Sequence, residues 1–427
     1  MNNNSQPQLF IKKISIKKLR HLRDIEINIS ETERKHLILT GKNGSGKTSL
    51  LLAIKDYVSK IESNNYNIIN ILKNQIENYK NQIQSYNQIL KRHSENQEQF
   101  VSSIKGWELN ILELKKHIEA EESKVVLEIS DIDSLFNRYS DGSFIFSYFE
   151  AKRGTHLSTP TGVTKINLKE KYVIGENPGT NFIQHIVNLK ADRSFARDDK
   201  NQSVVNEIDT WFLKFENFLK DIFEDKDLVL EFDRENYNFN FIQSGHEKTD
   251  LNHLSDGYSA ILNIITELML RMEKKSARSY NLEGFVFIDE LETHLHVQLQ
   301  KKVLPFLTTF FPRVQFIITT HSPFIISSLE NAVVFDLENK ITLEDASEFS
   351  YSSIVEEYLG ANSEYSTKMV NKMEEFEQII NLDQRTNDEE IRLAELDFDL
   401  STLRPLLSSE MYHRYKTNRK KIEVKTN

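Results

Sequence analysis

The chain has 427 residues, 39 % of them hydrophobic and 28 % charged, and carries a formal net charge of −10. That length allows two domains, and that composition belongs to a globular protein with a real core. An acidic balance excludes coating DNA through bulk charge, and the absence of cysteine excludes disulfides and thiolate metal sites.

The N-terminal MNNNSQPQLF lacks the basic-then-apolar pattern of a secretory leader, and no run of about eighteen apolar residues offers a membrane span, so a cytoplasmic protein without membrane contact is expected. Residues 9–29, LFIKKISIKKLRHLRDIEINI, read as two strands around a basic turn, and 36–40, HLILT, as a short apolar strand. A glycine-bearing loop follows, then an apolar helix beginning SLLLAIKDYV. Glycine is scarce, 13 in all, yet three fall between Gly41 and Gly46. Strand, loop and helix in this order are the setting that a phosphate-binding loop requires.

From Ile69 the pattern changes. Ile69, Leu72, Ile76, Tyr79, Ile83, Tyr86 and Leu90 recur at spacings of three and four. After the polar break RHSENQEQ the pattern resumes at Phe100, Ile104, Trp107, Ile111, Leu114 and Ile118. A period near 3.5 marks a coiled-coil seam, so two arms of roughly 20–25 residues are expected to form an antiparallel hairpin about 30–38 Å long. Two amphipathic helices lying on a domain would give the same pattern.

Residues 125–250 are mixed, with an amphipathic helix at 209–223 and a hairpin signature at 228–241, where alternation runs on both sides of RENY. Residues 259–272 form another apolar helix, and 284–330 read strand, helix, strand, helix. From about residue 346 the chain is charged and helical, ending in the basic HRYKTNRKKIEVK.

Gly41-Lys42-Asn43-Gly44-Ser45-Gly46-Lys47-Thr48 matches G-x-x-x-x-G-K-S/T. Its glycines let backbone N–H groups point inward at phosphate; Lys47 reaches the β- and γ-phosphates and Thr48 offers its hydroxyl to Mg²⁺. Gly41, Asn43, Gly44, Ser45, Gly46, Lys47, Thr48 and Ser49 are the expected phosphate contacts. Four apolar residues, Phe285 to Ile288, precede Asp289 and Glu290. Asp289 at the end of a buried strand would hold Mg²⁺, and Glu290 would polarise the attacking water as general base; a solvated acidic turn is the simpler alternative. Leu254-Ser255-Asp256-Gly257-Tyr258-Ser259 precedes a long apolar helix, where Ser255 and Asp256 read as N-caps if taken alone. His321 ends the apolar run Gln315 to Thr320, where a lone histidine is usually structural. Glu292, His294 and His296 could suggest a metal site, but their spacing lacks the i, i+4 geometry of a zincin helix.

These motifs, in this order across residues 41–321, resemble the ABC-type ATPase heads of the SMC/RecF/OLD branch, the group often labelled AAA-15 or AAA-21. The resemblance implies an α/β fold: a P-loop ATPase head of mixed sheet and flanking helices, an inserted antiparallel coiled-coil hairpin and a helical C-terminal tail. It divides the chain into head residues 1–62 and 129–345, a hairpin at 63–128, and a region for partner or oligomer contacts at 346–427. It implies composite sites at a head-to-head dimer, in which Ser255 and Gly257 of one subunit bind the γ-phosphate held by the other. It makes His321 the switch histidine and, with Glu290 and Lys47, part of the catalytic set; Asp289 and Thr48 serve the metal. The Glu292–His296 stretch becomes the loop crossing the dimer interface. Arg20 and His21 are candidates for the nucleotide base, and Gln184 is a weak candidate for the glutamine that senses Mg²⁺.

Glu395, Asp397 and Asp399 superficially resemble a Toprim D-x-D, but the segment is too short and reads as the polar side of a helix or turn. The wording from Tyr351 to Ile380 is similar to the tails of the Septu and retron defence ATPases. That resemblance implies a regulatory ATPase acting with a separate HNH-type nuclease and, in a retron setting, with a reverse transcriptase and its RNA/DNA product. A DNA contact through a local patch stays open. The alternatives are a DNA-repair or chromosome-maintenance ATPase, or a scaffold sequestering a Toprim effector.

Overall fold

In the computed structural model the chain is described at residues 7–63, 68–92, 97–122, 125–154, 157–243, 245, 247–344, 346–349, 351, 354, 367–382, 384–402 and 409–425. It divides into two compact units, residues 1–351 and 352–427. The first opens with β1 (Ile11–Leu19), β2 (Leu22–Asn28), β3 (His36–Thr40) and α1 (Lys47–Glu62), followed by two long helices, α2 (Ile68–Arg92) and α3 (Gln97–Glu122). Next come β4 (Val125–Ile129), α4 (Ile132–Ser140), β5 (Phe144–Phe149), α5 (Phe182–Asp198) and α6 (Gln202–Phe223). A small antiparallel sheet, β6 (Val229–Asp233), β7 (Asn238–Ile242) and β8 (Thr249–Asp250), leads to α7 (Asp256–Glu273). The unit closes with β9 (Glu283–Ile288), α8 (Val297–Phe310), β10 (Val314–Thr319), α9 (Pro323–Ile326), β11 (Ala332–Asp336) and β12 (Ile341–Glu344).

The central sheet runs β12-β11-β3-β10-β9-β5, parallel throughout except for β12. Every residue of β3, β9, β10 and β11 is buried, which explains why these segments read as continuous apolar runs: a parallel sheet covered on both faces has no polar side. The antiparallel sheet β2-β1-β4 shows the alternation of a one-sided sheet, with Leu22, Ile25 and Ile27 of β2 inward. Leu50, Leu51, Ile54, Val58 and Ile61 give α1 one buried face at helical spacing. Phe144, Phe146 and Phe285 pack edge-on or tilted beneath it, with Tyr139 against Phe146.

Register positions the chemistry. Phe149 pairs with Ile288, Ile288 with Ile318, Leu39 with Thr319, and Thr40 with Asp336, so the parallel strands end level on one edge. Each apolar run stops in polar residues at that edge, and the carboxyl ends of parallel strands are where an open α/β sheet presents a site.

Tyr86 packs edge-to-face on Phe100 (5.1 Å) and Trp107 (4.8 Å), and Tyr79 lies across a crevice from Leu114, so α2 and α3 run in opposite directions. The second unit contains α10 (Thr367–Ile380), α11 (Asn387–Thr402) and α12 (Ser409–Lys425) around a core of Met373, Phe376, Leu396, Leu400 and Tyr415. Glu395, Asp397 and Asp399 lie on α11. Glu395 pairs with Arg392 (3.0 Å), Asp397 with the Tyr415 hydroxyl (2.5 Å) and Arg419 (3.1 Å), and Asp399 with Lys372.

Candidate active site

The loop between β3 and α1 leaves the strand through Gly41 at φ 131° and enters the helix through Gly46 at φ 102°. A side chain at position 41 would stand 2.9 Å from Ser45 Oγ and 3.1 Å from Asp336 Oδ1, so conformation and space both demand glycine there. Lys47 is buried. Its ammonium donates to the carbonyls of Gly41 (2.8 Å) and Lys42 (3.2 Å), leaving one donor toward the cleft. Burial pushes its pKa down, while Glu290, Glu292, Asp289 and Asp336 oppose that shift. Among the described residues, Ser45 Oγ and Thr40 Oγ1 are buried without a hydrogen-bond partner, an unmet demand that a polar ligand could satisfy.

A polar cleft of about 280 Å³ opens over this loop. Asn43, Gly44, Gly46, Lys47, Thr48 and Ser49 form one wall, and Glu290 and His321 reach it from the far strands. Arg20 and His21, in the turn between β1 and β2, close the rim, and His21 Nε2–H donates to the Ser45 carbonyl (3.0 Å). A larger hollow of about 590 Å³, lined chiefly by aromatic rings such as Trp211, Phe218, Phe306 and Phe310, lies elsewhere.

The acidic side is held by hydrogen bonds that local sequence does not announce. Asp289 is buried, and its Oδ1 accepts from Thr319 Oγ1 (2.6 Å) and from Thr48 Oγ1 (3.2 Å). Thr319 Oγ1 in turn accepts the Glu290 N–H (2.7 Å). Glu290 stands at φ 44°, a left-handed conformation that costs a non-glycine residue about 1–3 kcal/mol and persists only where its surroundings enforce it. The Thr48 hydroxyl and the Asp289 carboxylate are hard oxygen ligands within hydrogen-bond distance of each other, the donor chemistry that suits a divalent cation beside a phosphate chain.

Glu292 Oε1 accepts the backbone N–H of His321 (2.5 Å), and its Oε2 is buried without a partner among the described residues. Burial first, then the Lys47 ammonium, holds His321 below the ordinary imidazole range against the pull of Glu292, Glu290 and Asp289; its ring is therefore neutral at neutral pH. Glu292, His294 and His296 go to different neighbours. Glu292 meets His321, His294 Nδ1 lies 4.0 Å from Asp256 Oδ2, and the His296 ring stands edge-on to Tyr258.

Ser255 is the N-cap of α7, yet its hydroxyl makes no cap hydrogen bond. A Cβ on Gly257 would lie 2.7 Å from the His294 carbonyl, so glycine lets α7 press against the loop after the acidic turn. Within one chain, Ser255 and Gly257 do not line the cleft. Gln184 does not either: it lies on α5 and donates to the Gly162 carbonyl and to Asn188, while the position after β5 is Glu150. Three contributors have no motif of their own. Thr319 is one, and Asp336, fully buried beside Gly41, is another. The third is Arg153, whose guanidinium donates to the carbonyls of Asp289 (2.6 Å), Glu290 (2.9 Å) and Leu291 (3.2 Å). An arginine soon after a strand end is the sole hint the sequence offers for it.

The chain is 27 % identical over 346 residues to the Septu protein PtuA of Bacillus mycoides (strain KBAB4), covering 78 % of this chain and 41 % of that relative. It is 23 % identical to the Retron Vc95 probable ATPase of Vibrio cholerae serotype O1 biovar El Tor, covering 71 % of this chain and 69 % of that one. The SMC head domain from Thermotoga maritima aligns over 76 % of this chain and 94 % of its own, with 14 % identity and a TM-score of 0.32. Residues 10–326, which hold the whole cleft, match the AAA_15 family of AAA ATPase domains, and the chain belongs to that family.

Proposed function

We propose that the chain binds ATP with Mg²⁺ in the cleft and hydrolyses it, as the ATPase subunit of an anti-phage defence complex. The observation that carries the enzymatic reading is the meeting of Thr48, in the first turn of α1, with Asp289, just past β9 and 241 positions away in sequence, beside Lys47 and Glu290. Backbone N–H groups of Gly44 to Thr48 and the Lys47 ammonium would hold the phosphates. Thr48 and Asp289 would hold Mg²⁺, which supplies neutralising charge when bound. Glu290 would take a proton from the attacking water as its oxygen bonds to the γ-phosphorus and the bond to ADP breaks. Neutral His321 would donate a hydrogen bond to the γ-phosphate.

The Ser255 hydroxyl and the N-terminus of α7 would complete the site of a second copy, in a head-to-head dimer. Two things support this: the Leu254–Ser259 stretch does not line its own chain's cleft, and the Ser255 hydroxyl makes no cap hydrogen bond among the described residues. In this reading the head comprises residues 1–62 and 129–345, a coiled-coil hairpin is inserted at 63–128, and 346–427 carries partner contacts. The names of the relatives, a Septu protein and a retron ATPase, support a defence role, exercised through a separate HNH-type nuclease.

Lys47→Ala should abolish nucleotide binding. Glu290→Gln should bind ATP, lose turnover by about 10²-fold or more, and accumulate as an ATP-dependent dimer. Unchanged ATP affinity in the first variant, or wild-type turnover in the second, would overturn the reading. For the partner, a chain ending near residue 345 should fail to capture the nuclease that co-purifies with the full chain.

A further inference from the structure

We infer that Arg153 is the positioning residue that holds Glu290 in its working conformation. The inference rests on the proposed ATPase reading and adds a residue that no motif contains.

Beyond β5 the chain runs beside the acidic turn, tied to it where the Asp289 N–H donates to the Phe149 carbonyl (2.9 Å). Four residues later Arg153 folds back and is buried. Its Nη1 donates to the carbonyls of Glu150 (3.1 Å) and Asp289 (2.6 Å), and its Nη2 to those of Glu290 (2.9 Å) and Leu291 (3.2 Å). Three consecutive carbonyls cannot all face one side chain in an extended strand, where successive carbonyls alternate in direction. Here they converge because Glu290 is left-handed. The planar guanidinium, with its fixed fork of donors, fits that convergence; a lysine ammonium is a single point and cannot span it.

Charge points the same way. The guanidinium is always charged in a protein, and it offsets the carboxylates of Glu292, Asp289 and Glu290 around the turn. Among the described residues, Arg153 Nε and Glu292 Oε2, a donor and an acceptor, are both buried and have no hydrogen-bond partner. Without the guanidinium, the buried carbonyls of Asp289 and Leu291 would lose a donor, and that of Glu290 would keep the Thr293 N–H (3.0 Å). The relaxed state of the turn would return Glu290 to negative φ and swing its carboxylate off the cleft. Nucleotide binding, which depends on the loop from Gly41 to Thr48, would be spared.

The experiment measures ATP affinity and turnover of the full chain for wild type, Glu290→Gln, Arg153→Lys and Arg153→Ala. We expect kcat to fall about 10²-fold in both Arg153 variants, the size of effect a misplacement near 1 Å produces, while the ATP Kd changes less than threefold. A kcat within threefold of wild type in Arg153→Lys overturns the inference. So does a loss of ATP binding in both variants, which would make Arg153 a folding requirement. Failure of wild type to hydrolyse ATP, or turnover that survives Glu290→Gln, would instead overturn the ATPase reading itself.

Discussion

Replacing Thr319 by valine deletes one hydroxyl and changes the side-chain volume little, at a site with no solvent exposure. That hydroxyl serves two groups, donating to Asp289 Oδ1 at 2.6 Å and accepting the Glu290 N–H at 2.7 Å. A hydrogen bond to a charged acceptor contributes about 1.5–3 kcal/mol, and a buried N–H left without a partner costs about 1–3 kcal/mol. Thr319→Val should therefore destabilise the first unit by about 3–5 kcal/mol, less if Glu290 relaxes out of its left-handed conformation. Thr319→Ser keeps both hydrogen bonds and loses one buried methyl, worth about 1 kcal/mol. Trp107 and Trp211 both lie in the first unit, so tryptophan fluorescence during urea unfolding reads that unit selectively. Hydrolysis should fall with stability in the valine variant and survive in the serine one. If the two variants unfold within about 0.5 kcal/mol of each other, the hydroxyl does not hold the turn and the reasoning fails.

Acid should destabilise the first unit in part through His36, which accepts the Phe316 N–H at Nδ1 and whose pKa burial, then Arg34, lowers to about 3. Between that value and the unfolded value near 6.5 the unfolded chain binds the extra proton, so stability falls as pH drops through this window. At about 1.4 kcal/mol per unit, wild type should lose about 2 kcal/mol more than His36→Asn between pH 7 and pH 5; parallel pH profiles would refute the assignment. Ser255→Arg should leave ATP affinity within about threefold and abolish hydrolysis, because the arginine would block the partner's site and spare its own. Intact turnover in that variant would rule out composite sites.

How much of this was legible in the sequence depended on how local the cause is. The glycine-bearing loop from Gly41 to Thr48 is one backbone conformation that only glycine at fixed offsets permits, so it can be read without the rest of the chain. The buried strands β3, β9 and β10 announce themselves as apolar runs, and the polar residues that end them mark the edge of the sheet. The hairpin β6–β7 and the helix α6 follow from their periodicity.

What the tertiary structure alone decided is everything set by strand neighbours distant in sequence. β4 and β5 lie in a segment without a clear period, and their pairing with β1 and β9 is what makes them strands. Gln184, plausible by residue type, belongs to a helix that does not line the cleft, and Glu150 stands at the strand end. Thr319 meets Asp289 because β10 lies beside β9 in register, and Asp336 meets the phosphate loop because β11 lies beside β3. Arg153 has a task only once three carbonyls converge 136 or more positions away in the chain. A chain can spell out a loop whose energetics are local, but a buried polar group finds its partner only after the sheet has fixed which strand ends stand together.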